Sequence, residues 1–301
     1  MNSIISAHNL TKYFGRTGVL DGLVLEVPEG SVFGLVGPNG AGKTTTIKIL
    51  MNILSPTTGG ALVLGVDSRG LGPAQFATIG YVSENQELPD WMTIEQFFVY
   101  LEPFYPKWDG EFAAALVRQF ELPPNRKLRH LSRGMWMKAA LASSLAYRPR
   151  LLVLDEPFSG LDPLVRDDLI EGILASAGET SIFISSHDLA EIETFASHIC
   201  YLDCGRAQFS EEMASLMARF REVEVTLEAP ATSRWNERWP PHWLRPEASA
   251  GVVRFVETNF DEQQTTAAIR QMFGRVRQVT AHPMPLRAIF LAVARSRPKV
   301  A

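Results

Sequence analysis

The run Gly37-Pro38-Asn39-Gly40-Ala41-Gly42-Lys43-Thr44 has the spacing G-x-x-x-x-G-K-[ST], which gathers backbone N–H groups, an ammonium and a hydroxyl around a chain of phosphates. Glycines let the backbone turn its N–H groups inward toward β- and γ-phosphates, with Lys43 as the point charge and Thr44 as a hydroxyl for Mg²⁺. A helix opening near Gly42 aims its positive dipole end at the same anion. A glycine-rich turn that binds nothing is the plain alternative, and the register of both glycines, the Lys and the Thr behind an apolar run speaks against it. A second set closes the apolar run Leu151-Leu152-Val153-Leu154 with Asp155-Glu156. Adjacent residues on a strand point to opposite sides, so the two carboxylates are free for separate tasks. Asp155 is suited to hold Mg²⁺ through water, and Glu156 to face a γ-phosphate and polarise an attacking water. Ser159-Gly160-Leu161-Asp162-Pro163 follows as a tight turn, and His187 stands directly behind the apolar run Ser181 to Ser185, in reach of the γ-phosphate.

These groups need a scaffold that brings them to one edge. Val32 to Val36 reads as a buried strand ahead of the glycine loop, and Lys43 to Met51 as the helix behind it. Ile4 to Leu10 and Leu20 to Val27 read as short strands broken by Gly15, Gly18 and Gly22, and Ala61 to Leu64 and Ile79 to Val82 as two more. From Thr93 to Tyr147 the pattern is helical, with Phe97, Phe98, Leu101, Phe112, Leu116 and Phe120 at core spacing. Strand patterns return at Leu151 to Leu154 and Ser181 to Ser185. The expectation is an α/β nucleotide domain interrupted by a helical insert, with ligands at the carboxyl ends of its strands.

Composition sets few obstacles. The chain has 301 residues, 46% of them hydrophobic, enough for a full core and two units. A net charge of −4, from 33 acidic and 29 basic residues, gives no basic field for nucleic acid. Cys200 and Cys204 are expected to be a buried structural pair in a reducing cytosol. No secretory signal is evident at the N-terminus and no run approaches the roughly 20 apolar residues of a membrane helix, so a cytoplasmic protein is expected whose membrane role is borrowed from a partner.

In this order the motifs resemble the ATP-binding cassette of ABC transporters over roughly residues 3 to 215. The resemblance rests on Gly37 to Thr44 as Walker A, Leu131-Ser132-Arg133-Gly134-Met135 as the signature, Leu151 to Glu156 as Walker B, Ser159 to Asp162 as the D-loop and His187 as the switch histidine. It implies a P-loop NTPase fold: a RecA-like α/β core, an antiparallel β subdomain and a helical insert near 88–150, all within 1–215. It also implies ATP and Mg²⁺ as cofactors, held by the Walker A residues Gly37, Pro38, Asn39, Gly40, Ala41, Gly42, Lys43 and Thr44 with Thr45. Glu156 and His187 are then the catalytic residues, and Thr44, Glu84 and Asp155 the metal-facing ones. Two cassettes, identical or different, meet head to tail in that family. Ser132 and Gly134, with Asp162, then serve the ATP held by the partner's P-loop. Phe14, or its neighbour Tyr13, is the aromatic expected to stack on adenine.

Two departures stand out. The usual LSGGQ signature here reads with Arg133 for the middle glycine and Met135 for the glutamine, and Glu84 occupies the position of the usual Q-loop glutamine, with Gln86 two residues on. Arg133 can add a cation near the phosphates, whereas Met135 offers no amide. Glu84 can accept from Mg²⁺ but cannot donate.

The tail, 216–301, is expected to be a small α+β domain, with strands at Arg221 to Leu227, Gly251 to Val256 and Val276 to Thr280 and a helix from Asp261 to Phe273. A stretch with Trp235, Trp239, Pro240, Pro241, Trp243 and Pro246 reads as a packing loop or protein contact, because Glu222, Glu224, Glu228 and Glu237 cancel the charge of Arg219, Arg221, Arg234 and Arg238. Pro283 to Leu291 is similar to the C-terminal segment of many bacterial exporter ATPases. The whole implies an ATPase subunit that energises export through separate integral permease subunits, peripheral on the inner face of the membrane. A soluble ATP-driven switch or assembly protein on the same cassette is the alternative, and the absence of a second cassette or of heptads in the sequence disfavours it. Cargo meets the membrane subunits, so this chain carries no mark of it.

Overall fold

The computed structural model describes residues 2–84, 86–177, 179–228, 239–249 and 251–296. It forms two compact units, Met1–Glu211 and Glu212–Ala301. The first begins with β1 (Ser3–Phe14) and β2 (Thr17–Pro28), then β3 (Val32–Val36), α1 (Lys43–Leu50), β4 (Thr58–Val63), β5 (Val66–Asp67), α2 (Pro73–Phe76) and β6 (Ile79–Ser83). Helices α3 (Ile94–Leu101), α4 (Gly110–Gln119) and α5 (Arg133–Leu145) intervene before β7 (Leu151–Asp155). The unit closes with α6 (Pro163–Ala175), β8 (Ser181–Ser186), α7 (Leu189–Glu193), β9 (His198–Asp203) and β10 (Arg206–Glu212).

Two sheets sandwich the helix that follows the glycine loop. One has the order β2-β1-β4-β5, with antiparallel pairing throughout. The other has the order β10-β9-β3-β8-β7-β6, in which β9, β3, β8, β7 and β6 pair in parallel. All residues of β3, β7 and β8 are buried, as parallel strands covered on both faces must be. A shared core joins Leu10, Leu25, Phe33, Ile47, Leu50 and Phe183 across the two sheets and α1.

The opening of the chain corrects the sequence expectation. Gly15, Gly18 and Gly22 do not break it into short strands, because β1 and β2 run 12 residues each. Gly15 lies in the connecting turn, and near Gly22 the ladder shifts register between Leu10↔Leu23 and Lys12↔Leu20 without ending. In the helical segment Phe97, Phe98, Leu116 and Phe120 are buried as expected, while Leu101 and Phe112 are only half-buried. The cysteine expectation also needs correction: Cys200 is buried, Cys204 is exposed, and neither forms a disulfide. Burial pushes the Cys200 thiol up to about 12, so it is inert.

The second unit holds α8 (Met213–Arg219), β11 (Arg221–Leu227), β12 (Trp243–Ser249), β13 (Val252–Glu257), α9 (Glu262–Phe273), β14 (Val276–Pro283) and α10 (Leu286–Arg295). Its sheet has the order β12-β13-β11-β14 and is antiparallel. Sequence patterning missed β12 because it contains Pro246. The proline is tolerated on an edge strand, where the ladder skips from Leu244 to Glu247. Of the Trp- and Pro-rich stretch, Arg234, Trp235, Glu237 and Arg238 lie outside the described residues. Trp239 and Trp243 pack against Phe273, and Trp243 Nε1 donates to the buried carboxylate of Glu257 at 2.8 Å.

Helix α6 is fastened to the end of α4 at Gly172, where an added Cβ would fall 2.4 Å from Cζ of the buried Phe120. Alanine in an open helix position gains up to about 1 kcal/mol over glycine, but an overpacked core costs about 1–3 kcal/mol. Gly172→Ala is therefore expected to lower the melting temperature. Gly110→Ala, where nothing lies within 4 Å of the new methyl, should leave it unchanged or slightly higher. Equal shifts at both positions in a thermal melt would show that this contact does not carry the packing.

Candidate functional site

Parallel register brings four loops to one edge. Val36 pairs with Ser186, Asp155 with Ser185 and Ser83 with Asp155, so the chain leaves β3, β8, β7 and β6 at one level. The glycine loop, His187, Glu156 and Glu84 are the next residues out. This is where an open α/β sheet accepts ligands.

The two glycines of the motif serve different ends. At Gly37 a Cβ would meet the carbonyl oxygen of Leu202 at 2.1 Å, so the loop passes β9 too closely for any side chain. Gly42 caps α1 with φ +109°, a conformation closed to ordinary residues, and this turns the first N–H groups of the helix toward the loop's interior. Lys43 is 6% exposed and folds back: its Nζ donates to the carbonyls of Gly37 at 2.7 Å and Pro38 at 3.2 Å and lies 3.1 Å from Glu156 Oε1. Ala41 is buried beneath the loop.

Asp155 and Glu156 are directed apart, for a reason other than strand alternation. β7 ends at Asp155, and Glu156 adopts a left-handed backbone with φ +52°. That conformation costs a glutamate of order 1 kcal/mol or more and marks a constrained site. It is held by the Glu156 N–H donating to the Ser185 carbonyl at 3.2 Å and to Ser185 Oγ at 3.0 Å. The Asp155 carboxylate points to α1, accepting from Thr44 Oγ1 at 3.1 Å and from Ser185 Oγ at 2.7 Å. Burial raises its pKa above the usual carboxylate range, and the hydroxyls of Ser185 and Thr44 oppose the rise. The Glu156 carboxylate points to Lys43 on one oxygen and on the other to His187, whose Nδ1 lies 2.7 Å away and donates as the Nδ1–H tautomer. Behind His187, the buried Glu191 accepts from Ser186 Oγ at 2.9 Å and pairs with Arg166 at 3.1 Å, anchoring the loop.

A cavity of about 570 Å³ opens over this cluster. Asn39, Gly40, Gly42, Lys43, Thr44 and Thr45 form one wall, all of them sequence-predicted. Glu84, Glu156 and His187 form the other, joined by Ser159 and by Val19 of β2. Ser159 belongs to the turn that follows Glu156, whereas neither Val19 as a wall residue nor Ser185 as the group orienting Asp155 was legible, because each reaches the site from a separate strand. An adjoining cavity of about 350 Å³ is shared by Thr44, Ser83, Glu84, Gln86, Asp155 and Glu156.

Other predicted residues stand apart from these walls. Phe14, at the end of β1, is 48% exposed with the Lys12 ammonium 5.0 Å from its ring centre. Tyr13 beside it is 45% exposed. Ser132 caps α5, its Oγ accepting from the Met135 N–H at 3.2 Å, and Gly134 leaves room for Val165. Asp162 caps α6 through the Val165 N–H at 3.1 Å. Glu84 pairs with Arg133, whose Nη2 donates to Glu84 Oε1 at 2.5 Å, so the two departures from the family pattern are bonded to each other.

The family model for the ABC transporter matches residues 20–159. An uncharacterized ABC transporter ATP-binding protein of Bacillus subtilis, YhaQ, is 30% identical over 294 residues, 96% of this chain and 97% of that protein, so the likeness takes in the second unit. The Nod factor export ATP-binding protein I of Cupriavidus metallidurans is 34% identical over 214 residues, covering 68% of this chain and 70% of that one. Among solved structures, an ATP binding subunit of an ABC transporter superposes with a TM-score of 0.66 at 26% identity, over 72% of this chain and 92% of that one.

The raised pKa of Asp155 has a consequence for stability. The native state holds its proton more tightly than the unfolded chain, so the group's contribution to stability falls as pH rises from about 4, the unfolded value, through the native one. Asp155→Asn removes the buried charge. It is expected to raise the melting temperature at pH 7, by about 2–4 °C for each kcal/mol relieved, with the gain shrinking as pH approaches about 4. A variant less stable than the parent at pH 7 would contradict this account.

Proposed function

The chain belongs to the ABC transporter ATP-binding proteins, ATPases that serve transporters, and from that premise we propose that it drives export by closing on ATP with a second cassette and passing the motion to separate membrane subunits. The observation that carries the reading is the Lys43–Glu156–His187 chain of contacts on the wall of the glycine-loop cavity. Lys43 is held by two loop carbonyls and Glu156, a set it can trade for phosphate oxygens without moving its backbone. Glu156, released from Lys43 and oriented by His187, then accepts a proton from water attacking the γ-phosphate. The N–H groups at the start of α1 receive the phosphates.

The Thr44 hydroxyl and the Asp155 carboxylate are hard oxygen donors side by side, and among the described residues no cluster of three or more His, Cys, Asp or Glu side chains is built to cage a metal. That small set fits Mg²⁺, which takes one or two protein oxygens and completes its shell with water and phosphate. When bound it neutralises charge on the β- and γ-phosphates. Glu84, on the wall of both cavities, is the further metal-facing carboxylate.

Ser132, Gly134 and Asp162 stand off this cavity and serve the ATP of the second cassette, identical or not. The exposed ring of Phe14, or that of Tyr13, takes the adenine. No helix among the described residues is long and apolar enough to cross a membrane. As a member of a family that serves transporters, the chain works at the inner face of a membrane through permease subunits, and the Nod factor export relative supports that direction.

Glu156→Gln keeps the size and shape of the side chain and removes the base. It is expected to retain ATP binding and lower phosphate release by about 100-fold or more, whereas Lys43→Ala loses ATP binding itself. Hydrolysis by Glu156→Gln at the parent rate would overturn the assignment. Purification from native membranes without any membrane-spanning companion, with or without ATP, would overturn the transport reading.

A further inference from the structure

Arg133 sits where a cation is least welcome. It is the first residue of α5, at the positive end of the helix dipole, and that helix has no acidic residue in its first turn. Its compensation comes from a distant segment, through the 2.5 Å bond from Nη2 to Glu84 Oε1. The same guanidinium lies over the turn behind β7, where a Cβ on Gly160 would sit 3.3 Å from its Cζ and Nη1. One planar cation thus joins the end of β6, the start of α5 and the Ser159–Asp162 turn.

Glu84 has a second claim on it. Its N–H donates to the carbonyl of Asp155 at 3.2 Å, and the residue lines both of the cavities that Thr44 lines. The residue that holds the guanidinium therefore also borders the cavities lined by Thr44 and, in one of them, by Asp155. We infer that the Glu84–Arg133 pair is an intrasubunit latch: Glu84 is held by Arg133 and exchanges it for the metal that accompanies ATP. The exchange frees Arg133 at the start of α5, beside Ser132 and Gly134, where an uncompensated guanidinium and the helix N-terminus together attract phosphate. Arg133 is thus a positioning residue for Glu84 before ATP binds. The latch rests on the ATP-site reading above.

The test is the ratio of affinities for a fluorescent non-hydrolysable ATP analogue in Mg²⁺ and in EDTA, measured on the full chain. The ratio isolates the metal's contribution and cancels any direct effect of Arg133 on the nucleotide. An exposed ion pair shifts an equilibrium by about two- to fivefold. Arg133→Ala and Arg133→Gln are therefore expected to raise the ratio by about that factor, and Arg133→Lys to keep it near the parent. In a Glu84→Gln background, Arg133→Ala should leave the ratio unchanged. An unaltered ratio in the single variants, or the same rise in the Glu84→Gln background, would overturn the latch. Absence of analogue binding in both Mg²⁺ and EDTA would instead overturn the ATP-site reading, and the latch with it.

Discussion

A buried ammonium must be surrounded by acceptors, and this requirement organises the site. Lys43 is nearly sealed from solvent, in contact with two backbone carbonyls of its own loop and one oxygen of Glu156. An isolated buried charge costs several kcal/mol, so the loop carbonyls must turn inward and Glu156 must reach across from the neighbouring segment. A polyphosphate offers the ammonium the same kind of oxygen and more charge. The contacts that neutralise Lys43 within the chain are therefore of the kind that phosphate oxygens can replace.

That exchange depends on two adjacent carboxylates staying apart. Strand alternation would have sufficed had β7 continued, but the left-handed turn at Glu156 does the work instead. Ser185 serves both residues. Its hydroxyl holds the Asp155 side chain and contacts the Glu156 N–H, and its carbonyl accepts from that same N–H. A single serine on β8 thus fixes the divergence of two acids on β7. The parallel register, which sets Asp155 opposite Ser185, is what makes it possible.

The helical segment between β6 and β7 meets this edge through α5. Most of α5 is buried, from Met137 to Leu145, so its direction is set by packing. Its first residue is then delivered to Glu84 without a flexible linker. A charge rearrangement at the cavity wall consequently bears on the start of a rigid helix.

Much of this was legible without coordinates. The glycine loop, the apolar runs ending in Asp155-Glu156 and in Ser186-His187, and the helical insert all follow from local pattern. Buried parallel strands are uninterrupted apolar runs, and phosphate loops need glycine at fixed offsets. In the second unit three strands and a helix were equally plain, while β12 was hidden by Pro246, whose harmlessness depends on lying at an edge. Only the tertiary structure decided which distant groups meet: Ser185 on Asp155, His187 on Glu156, Val19 on the cavity wall. Read from sequence, Arg133 and Glu84 were two separate anomalies 49 positions apart. Local pattern records which residues are buried and where the chain turns. Partnership between charges is set by strand order and register, which bring the ends of β6 and β7 and the start of α5 to one edge, where Glu84 meets Arg133.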